Sequence, residues 1–154
     1  MIIQAKTYEF FTSPEFVAFA TDSLLEVKYQ ELGITFNPAK IGEEFLVCID
    51  NPDRVCFAAM DGPKVVGILL CNVSKMIFSD TPIAEQLYAR VDKDYRGKGI
   101  YSDMFKCFYV WAKEKGAAVI LVGSHDNTDL TQAATIAYDK MGFKPFHESY
   151  YIKL

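Results

Sequence analysis

The chain has 154 residues, of which 51% are hydrophobic, 14% aromatic and 23% charged, and sixteen Lys+Arg against twenty Asp+Glu give a formal net charge of −4. That length suits one domain with a core of its own, the apolar content excludes a disordered chain, and the acidic balance argues against a broad nucleic-acid surface. Four cysteines without paired spacing and two histidines make no zinc pattern. Met1 to Lys6 lack the basic start and apolar run of a signal peptide, and no apolar stretch approaches the ~18 residues of a membrane span. The expectation is a cytoplasmic, metal-free, single-domain protein over residues 1–154, with reduced and mostly buried thiols and neither nucleic-acid nor membrane partners.

Taken in chain order, Ile2 to Phe10 reads as a first strand. Ser13-Pro14 is a helix start, with Ser as N-cap and Pro in the first turn. Phe16, Ala20, Leu24 and Val27 then recur at helical spacing up to Gly33. A second helix is expected over about Pro38 to Ile49. Arg54 to Met60 and Lys64 to Val73 are β-rich runs around Asp61-Gly62-Pro63, a hairpin signal, and Ile83 to Asp92 is a third run. Next comes a helix with an apolar stripe of Ile100, Met104, Phe105, Phe108, Trp111 and Ala112, stopped by Gly116. Ala117 to Val122 reads as a strand covered on both faces. A last helix carries Leu130, Ala133, Ala134, Ala137, Tyr138 and Met141 and stops at Gly142, and Phe143 to Leu154 reads as a closing strand. The order β-α-α-β-β-β-α-β-α-β predicts a mixed α/β fold with helices on both faces of the sheet.

The chemically informative stretch joins the third central run to the long helix. In Arg96-Gly97-Lys98-Gly99 two residues lack a Cβ, which lets backbone N–H groups approach a ligand. Those amides lie at a helix N-terminus, where the first turn has no intrahelical partners and the dipole is positive. With Lys93, Arg96 and Lys98 they describe an anion cradle suited to a pyrophosphate. The spacing is neither that of an NTPase phosphate loop nor that of a dinucleotide fingerprint.

Here the chain resembles the GCN5-related N-acetyltransferase (GNAT) family. The family signature Arg/Gln-x-x-Gly-x-Gly/Ala stands as Arg96-Gly97-Lys98-Gly99-Ile100-Tyr101, and Tyr-x-x-x-Gly-Phe stands as Tyr138-Asp139-Lys140-Met141-Gly142-Phe143. The resemblance implies a mostly antiparallel sheet that splays open at the cofactor site. It implies acetyl-CoA as co-substrate, its pyrophosphate held by Arg96, Gly97, Lys98, Gly99, Ile100 and Tyr101. Its pantetheine arm would pair with the backbone of Val91, almost like an added strand. Tyr101 stands where Gly or Ala is usual. Thr131 stands where an Asn commonly contacts the cofactor, and Asn127 is out of register.

The resemblance also implies that Tyr138 protonates the leaving thiolate. From the residues alone, a tyrosine on an apolar helix stripe equally well packs with its hydroxyl satisfied locally. Glu85, eleven residues before Arg96, matches the catalytic glutamate of histone-modifying members. Strand alternation places it with Leu87, Ala89 and Val91 on one face, barring a bulge; a glutamate facing water is the other reading. His125 is a second candidate base. No nucleophile motif is present, so direct transfer of acetyl to a primary amine is expected. The alternatives are a non-catalytic acyl-CoA-binding regulatory module and a toxin-like enzyme acting on aminoacyl-tRNA, the latter disfavoured by the acidic balance. The acceptor, a small molecule or a protein, would be set around residues 33–45 and 76–84. There Phe36, Phe45, Met76 and Phe78 line a pocket, cover the core or form a homodimer face. Net negative charge favours a cationic acceptor such as a polyamine, an aminoglycoside or a protein amine.

Overall fold

The structure, a computed structural model, describes residues 1–26, 33–123, 129–146 and 152. It divides into two compact units, Met1–Glu26 with Asn37–Val122, and Val27–Phe36 with Gly123–Leu154.

The first unit opens with β1 (Ile2–Ala5) and a single helical turn, α1 (Tyr8–Phe11). The strand expected to run to Phe10 therefore stops early. Thr7 Oγ1 accepts the Phe10 amide at 3.2 Å and starts the turn. That turn lets both Phe10 and Phe11 pack against Phe16, at ring separations of 5.4 and 5.3 Å. Adjacent residues on a strand would point to opposite faces. α2 (Pro14–Leu25) begins as the Ser-Pro pair predicts, with Ser13 Oγ accepting the Phe16 amide at 3.2 Å. Val27 lies outside the described residues. α3 (Pro38–Asp50) is capped by Asn37, whose side chain accepts from Ala39 and Lys40.

β2 (Arg54–Asp61) and β3 (Lys64–Lys75) pair through the turn at Gly62, whose φ is +57°. β4 (Pro82–Val91) pairs antiparallel with β3, and β5 (Ile120–Leu121) adds in parallel beside β4. The result is a five-stranded mixed sheet in the order β1-β2-β3-β4-β5. α4 (Ile100–Glu114) follows the loop after β4.

Two helical layers sandwich the sheet. On one face Cys56, Ala58, Ile68 and Leu70 meet Phe11, Phe16, Phe19, Phe45 and Cys48 from α1 to α3. Phe45 thus covers the core, its ring 5.1 Å from that of Phe16 and 6.0 Å from that of Tyr88, whereas Phe78 is exposed. On the other face α4 buries Met104, Phe105, Phe108 and Ala112, most of the predicted stripe. Full burial of side chains such as Phe108, Met104 and Leu69 contributes roughly 1.5–3 kcal/mol each.

Two predicted strands turn out differently. The run Ala117 to Val122 yields only the two residues of β5, half-buried, with Ala118 and Val119 exposed. Its parallel pairing reaches β4 only at Ala84 and Glu85. The closing strand is not formed over Phe143–Phe146, and residues 147–151, 153 and 154 lie outside the described residues.

In the second unit, α5 (Asp129–Lys140) ends with Gly142 at φ +83°. The Gly142 amide donates to the Asp139 carbonyl and the Phe143 amide to the Tyr138 carbonyl, both at 3.0 Å. That bond pair is a Schellman cap. Among the described residues no helix is long and apolar enough to cross a membrane.

Candidate functional site

The site grows from the end of β4. Asp92 caps a short 3-10 turn, Lys93–Tyr95, by accepting the Asp94 amide. The chain then passes through Gly97 (φ +75°) and Gly99 (φ +80°) into α4. Left-handed backbone favours glycine at both positions. A Cβ built on either glycine meets nothing within 4 Å among the described residues. Gly99, the N-cap of α4, makes no side-chain cap bond to the first turn, whose amides have no partners within the helix. These features fit a pyrophosphate.

The loop is tied back to the β2–β3 turn. Tyr95 Oη donates to Asp61 at 2.6 Å, and Lys64 pairs with Asp92 at 2.7 Å. The Lys64 ammonium holds the Asp92 carboxyl below its ordinary range and is itself raised by that carboxylate. The bond to Asp61 raises the Tyr95 phenol.

Two cations of the loop, Arg96 and Lys98, are engaged within the chain. Arg96 Nε donates to the Val91 carbonyl at 3.0 Å, and its guanidinium pairs with Glu26, which also pairs with Arg90. Lys98 donates to the Asp94 carbonyl at 2.8 Å and lies 4.9 Å from the centre of the Tyr95 ring. Arg96 therefore braces the loop against the end of β4. Glu26, seventy residues away in sequence, had no spacing signal that could have disclosed it. Beside this brace a cleft of about 640 Å³ opens between α2 and the ends of β3 and β4, lined by Asp22, Glu26, Lys64, Arg90 and Asp92 among others.

Tyr101 does not narrow the cradle. Its phenol reaches away to Gln86, donating to Oε1 at 2.6 Å, and its ring centre lies 6.3 Å from that of Phe105. Gln86 is the first residue of β4 beyond the pairing with β5. Past this parting, Gln86 to Val91 have no partner on β5, which ends at Leu121.

Glu85 lies at that parting, paired with Leu121 on β5 and Asn72 on β3, and its carboxylate accepts from Ser74 Oγ at 2.9 Å. The ladder passes from Cys71↔Gln86 to Leu70↔Tyr88 and skips Leu87. This bulge shifts the alternation. Glu85 consequently shares its face with Tyr88 and Arg90, on the α1–α3 side, and not with Ala89 and Val91, which face α4. Next to it Asn72 Oδ1 is buried with no hydrogen-bond partner among the described residues.

In the second unit Tyr138 is half-buried. Its hydroxyl donates to the Gly123 carbonyl at 3.3 Å, and its ring sits 5.7 Å from that of Phe143, across the helix cap. His125 and Asn127 lie outside the described residues, as does the side chain of Thr131. Among the described residues no group of three His, Cys, Asp or Glu is arranged to hold a metal.

A family model described as an acetyltransferase (GNAT) domain matches residues 52–145. Three solved structures are similar in fold. One is an aminoglycoside acetyltransferase from an uncultured soil metagenomic sample, 18% identical over 100% of this chain and 97% of that one, with a TM-score of 0.73. Another is a transcriptional regulator from Bacillus halodurans, 18% identical over 100% and 99%, with a TM-score of 0.75. A third is the aminoglycoside N-acetyltransferase AAC(6')-Iy in complex with CoA, 15% identical over 100% and 98%, with a TM-score of 0.69. No curated protein sequence matches the chain.

Proposed function

We propose that this chain, which belongs to the GNAT acetyltransferase family, transfers an acetyl group from acetyl-CoA directly to a primary amine. The observation that carries the reading is the loop into α4: two left-handed glycines, at which a Cβ would meet nothing within 4 Å among the described residues, leading into a helix whose glycine N-cap makes no side-chain cap bond. The amides of Gly97 to Tyr101 would take the pyrophosphate, with Arg96 and Lys98 supplying positive potential and holding the loop. The pantetheine arm would lie along the part of β4, around Val91, that β5 leaves unpaired.

In the transfer, the amine lone pair attacks the thioester carbonyl carbon, the C–S bond breaks as the tetrahedral adduct collapses, and the thiolate takes a proton. Glu85, at the parting of the strands, is the proposed base that takes the ammonium proton, relayed through Ser74 or water. Tyr138 is the proposed donor to the thiolate, on the strength of the motif that it opens. Supporting a cationic acceptor are the net charge of −4 and the likeness in fold to aminoglycoside acetyltransferases. A polyamine or a protein amine meets the same chemical requirement.

A non-catalytic acyl-CoA-binding module is the second reading, favoured by the likeness to a transcriptional regulator. The test is thermal unfolding with acetyl-CoA, CoA and ATP, followed by a screen of amines for CoA release. Stabilisation by the CoA compounds alone, with turnover on at least one amine, supports the enzyme. Stabilisation without turnover across aminoglycosides, polyamines and lysine peptides selects the module. No stabilisation at millimolar acetyl-CoA defeats both.

A further inference from the structure

Glu26 is an anion beside a loop suited to a pyrophosphate, and by charge alone it opposes binding there. Its contacts point to a different role. The carboxylate takes the Arg96 guanidinium at 2.5 Å and pairs also with Arg90, a residue of β4 whose side chain is only 11% exposed. One acid, just beyond the end of α2, thus ties the loop to the strand.

What Arg96 does there follows from the register of β4. The Asp92 amide donates to the Val66 carbonyl at 2.9 Å. In an antiparallel ladder the adjoining pair, Gly67↔Val91, then turns its backbone groups away from the shared side. Ala89, paired with Leu69 two residues back, points the same way. The N–H and C=O of Ala89 and Val91 therefore face the edge of β4 that β5, ending at Leu121, leaves without a partner. Arg96 Nε takes the Val91 carbonyl at 3.0 Å. An extended arm along this edge can pair with Ala89 and with the Val91 amide, but at the Val91 carbonyl it meets the guanidinium. It must turn from the strand there, toward the amides of Gly97 to Tyr101.

We propose that Glu26 is a positioning residue of the donor site: it holds Arg96 across the Val91 carbonyl and so fixes the corner at which the cofactor passes from the β4 edge to the loop. This rests on the acetyl-CoA reading above. The Arg96 side chain is long and 33% exposed, and one bond at Nε leaves its many rotamers open. The charge-assisted bond to Glu26 selects one of them. Glu26 itself touches no cofactor atom and acts through Arg96.

Titration calorimetry with acetyl-CoA, which needs no acceptor, tests this on Glu26→Ala, Glu26→Gln, Arg96→Met and the double variant Glu26→Gln/Arg96→Met. Circular dichroism checks the fold of each. Glu26→Ala should bind acetyl-CoA about tenfold more weakly than wild type, the usual worth of a hydrogen bond to a charged group. Glu26→Gln keeps an oxygen for the guanidinium groups and should fall between the two; it decides the matter if Glu26→Ala, which strands the buried Arg90, does not fold. Because Glu26 acts through Arg96, the double variant should bind no more weakly than Arg96→Met alone. Unchanged or tighter binding by Glu26→Gln is what an anion that merely repels the phosphates would give, and it overturns the proposal. A double variant whose loss is the sum of the two single losses overturns it as well, and either result leaves the acetyl-CoA reading standing. Absence of acetyl-CoA binding by the wild-type chain overturns the reading and the proposal together.

Discussion

Tyr138 and Cys48 are two residues whose chemistry is set by close neighbours. The Tyr-x-x-x-Gly-Phe run that marks Tyr138 is physically a helix cap. Gly142 supplies the left-handed turn, and Phe143 covers the Tyr138 ring. The ring contact survives in Tyr138→Phe, while the hydroxyl that would protonate a thiolate is removed. Turnover should then fall by roughly 10²-fold or more, the contribution of a positioned acid, with acetyl-CoA affinity and melting temperature little changed. Steady-state kinetics beside calorimetry checks this, and unchanged kcat would remove Tyr138 from the acid role. Burial pushes the Cys48 thiol up to about 11 and raises Cys56 and Cys71 in the same direction. At pH 8 little of Cys48 is thiolate, the form that reacts. A maleimide should label the half-buried Cys107 first and the other three only on unfolding, as read by mass spectrometry. Labelling of Cys48 at the rate of Cys107 would contradict the packing of α3 against β2.

At the scale of elements, the loop depends on how β3 and α4 meet. Gly67 lies where a Cβ would come within 3.1 Å of both Ile100 Cγ2 and Met104 Cε. Gly67→Ala should therefore shift the Ile100 methyl and the end of the Met104 side chain by a few tenths of an ångström, an overpacking that costs about 1–3 kcal/mol where these side chains have no room to give. It should also weaken acetyl-CoA binding, because Ile100 opens the helix whose amides form the cradle; a denaturant melt and a binding titration on one sample read both. Asp92 joins two elements, capping the 3-10 turn and pairing with Lys64. Its folded pKa is depressed below the unfolded value of ~3.9. The stability that it contributes is thus present above that value and lost as pH falls through the lowered one. Asp92→Ala should lower the melting temperature by roughly 2–4 °C at pH 7, and the gap to wild type should close as the pH falls below the lowered value. A gap that persists there would mean that the carboxylate charge is not what holds the turn. Asp92→Asn, which keeps the cap but not the charge, should fall between the two.

For the whole molecule, ligand binding to the native state is the quantity that decides function. A ligand at a hundred times its Kd adds about 2.7 kcal/mol to the folded state. For a chain of this length that is a rise of roughly 5–11 °C in melting temperature, well above the resolution of scanning calorimetry. Acetyl-CoA and CoA should both produce it and ATP should not, the expected result if the pantetheine arm, which ATP lacks, lies along the β4 edge as proposed. Equal shifts with ATP would reduce the cradle to a general phosphate site.

Much of this architecture is written in local chemistry. Ser13-Pro14, Asn37, the turn at Gly62 and the stops at Gly116 and Gly142 each act within a few residues, so spacing alone locates the helices and the hairpin. The same holds for the cradle, because Gly97 and Gly99 need left-handed backbone wherever the rest of the chain lies. The bulge at Leu87 depended on the partner strand. It turned Glu85 from the α4 face to the α1–α3 face, and no pattern within β4 announces it. The grip of Glu26 on Arg96 and Arg90, the reach of Tyr101 to Gln86 and the two-residue length of β5 are likewise meetings between distant segments. Periodicity in sequence reports what a residue's own helix or strand requires of it. Which partner it then meets is decided by register and by the packing of layers, and these exist only once the chain has folded.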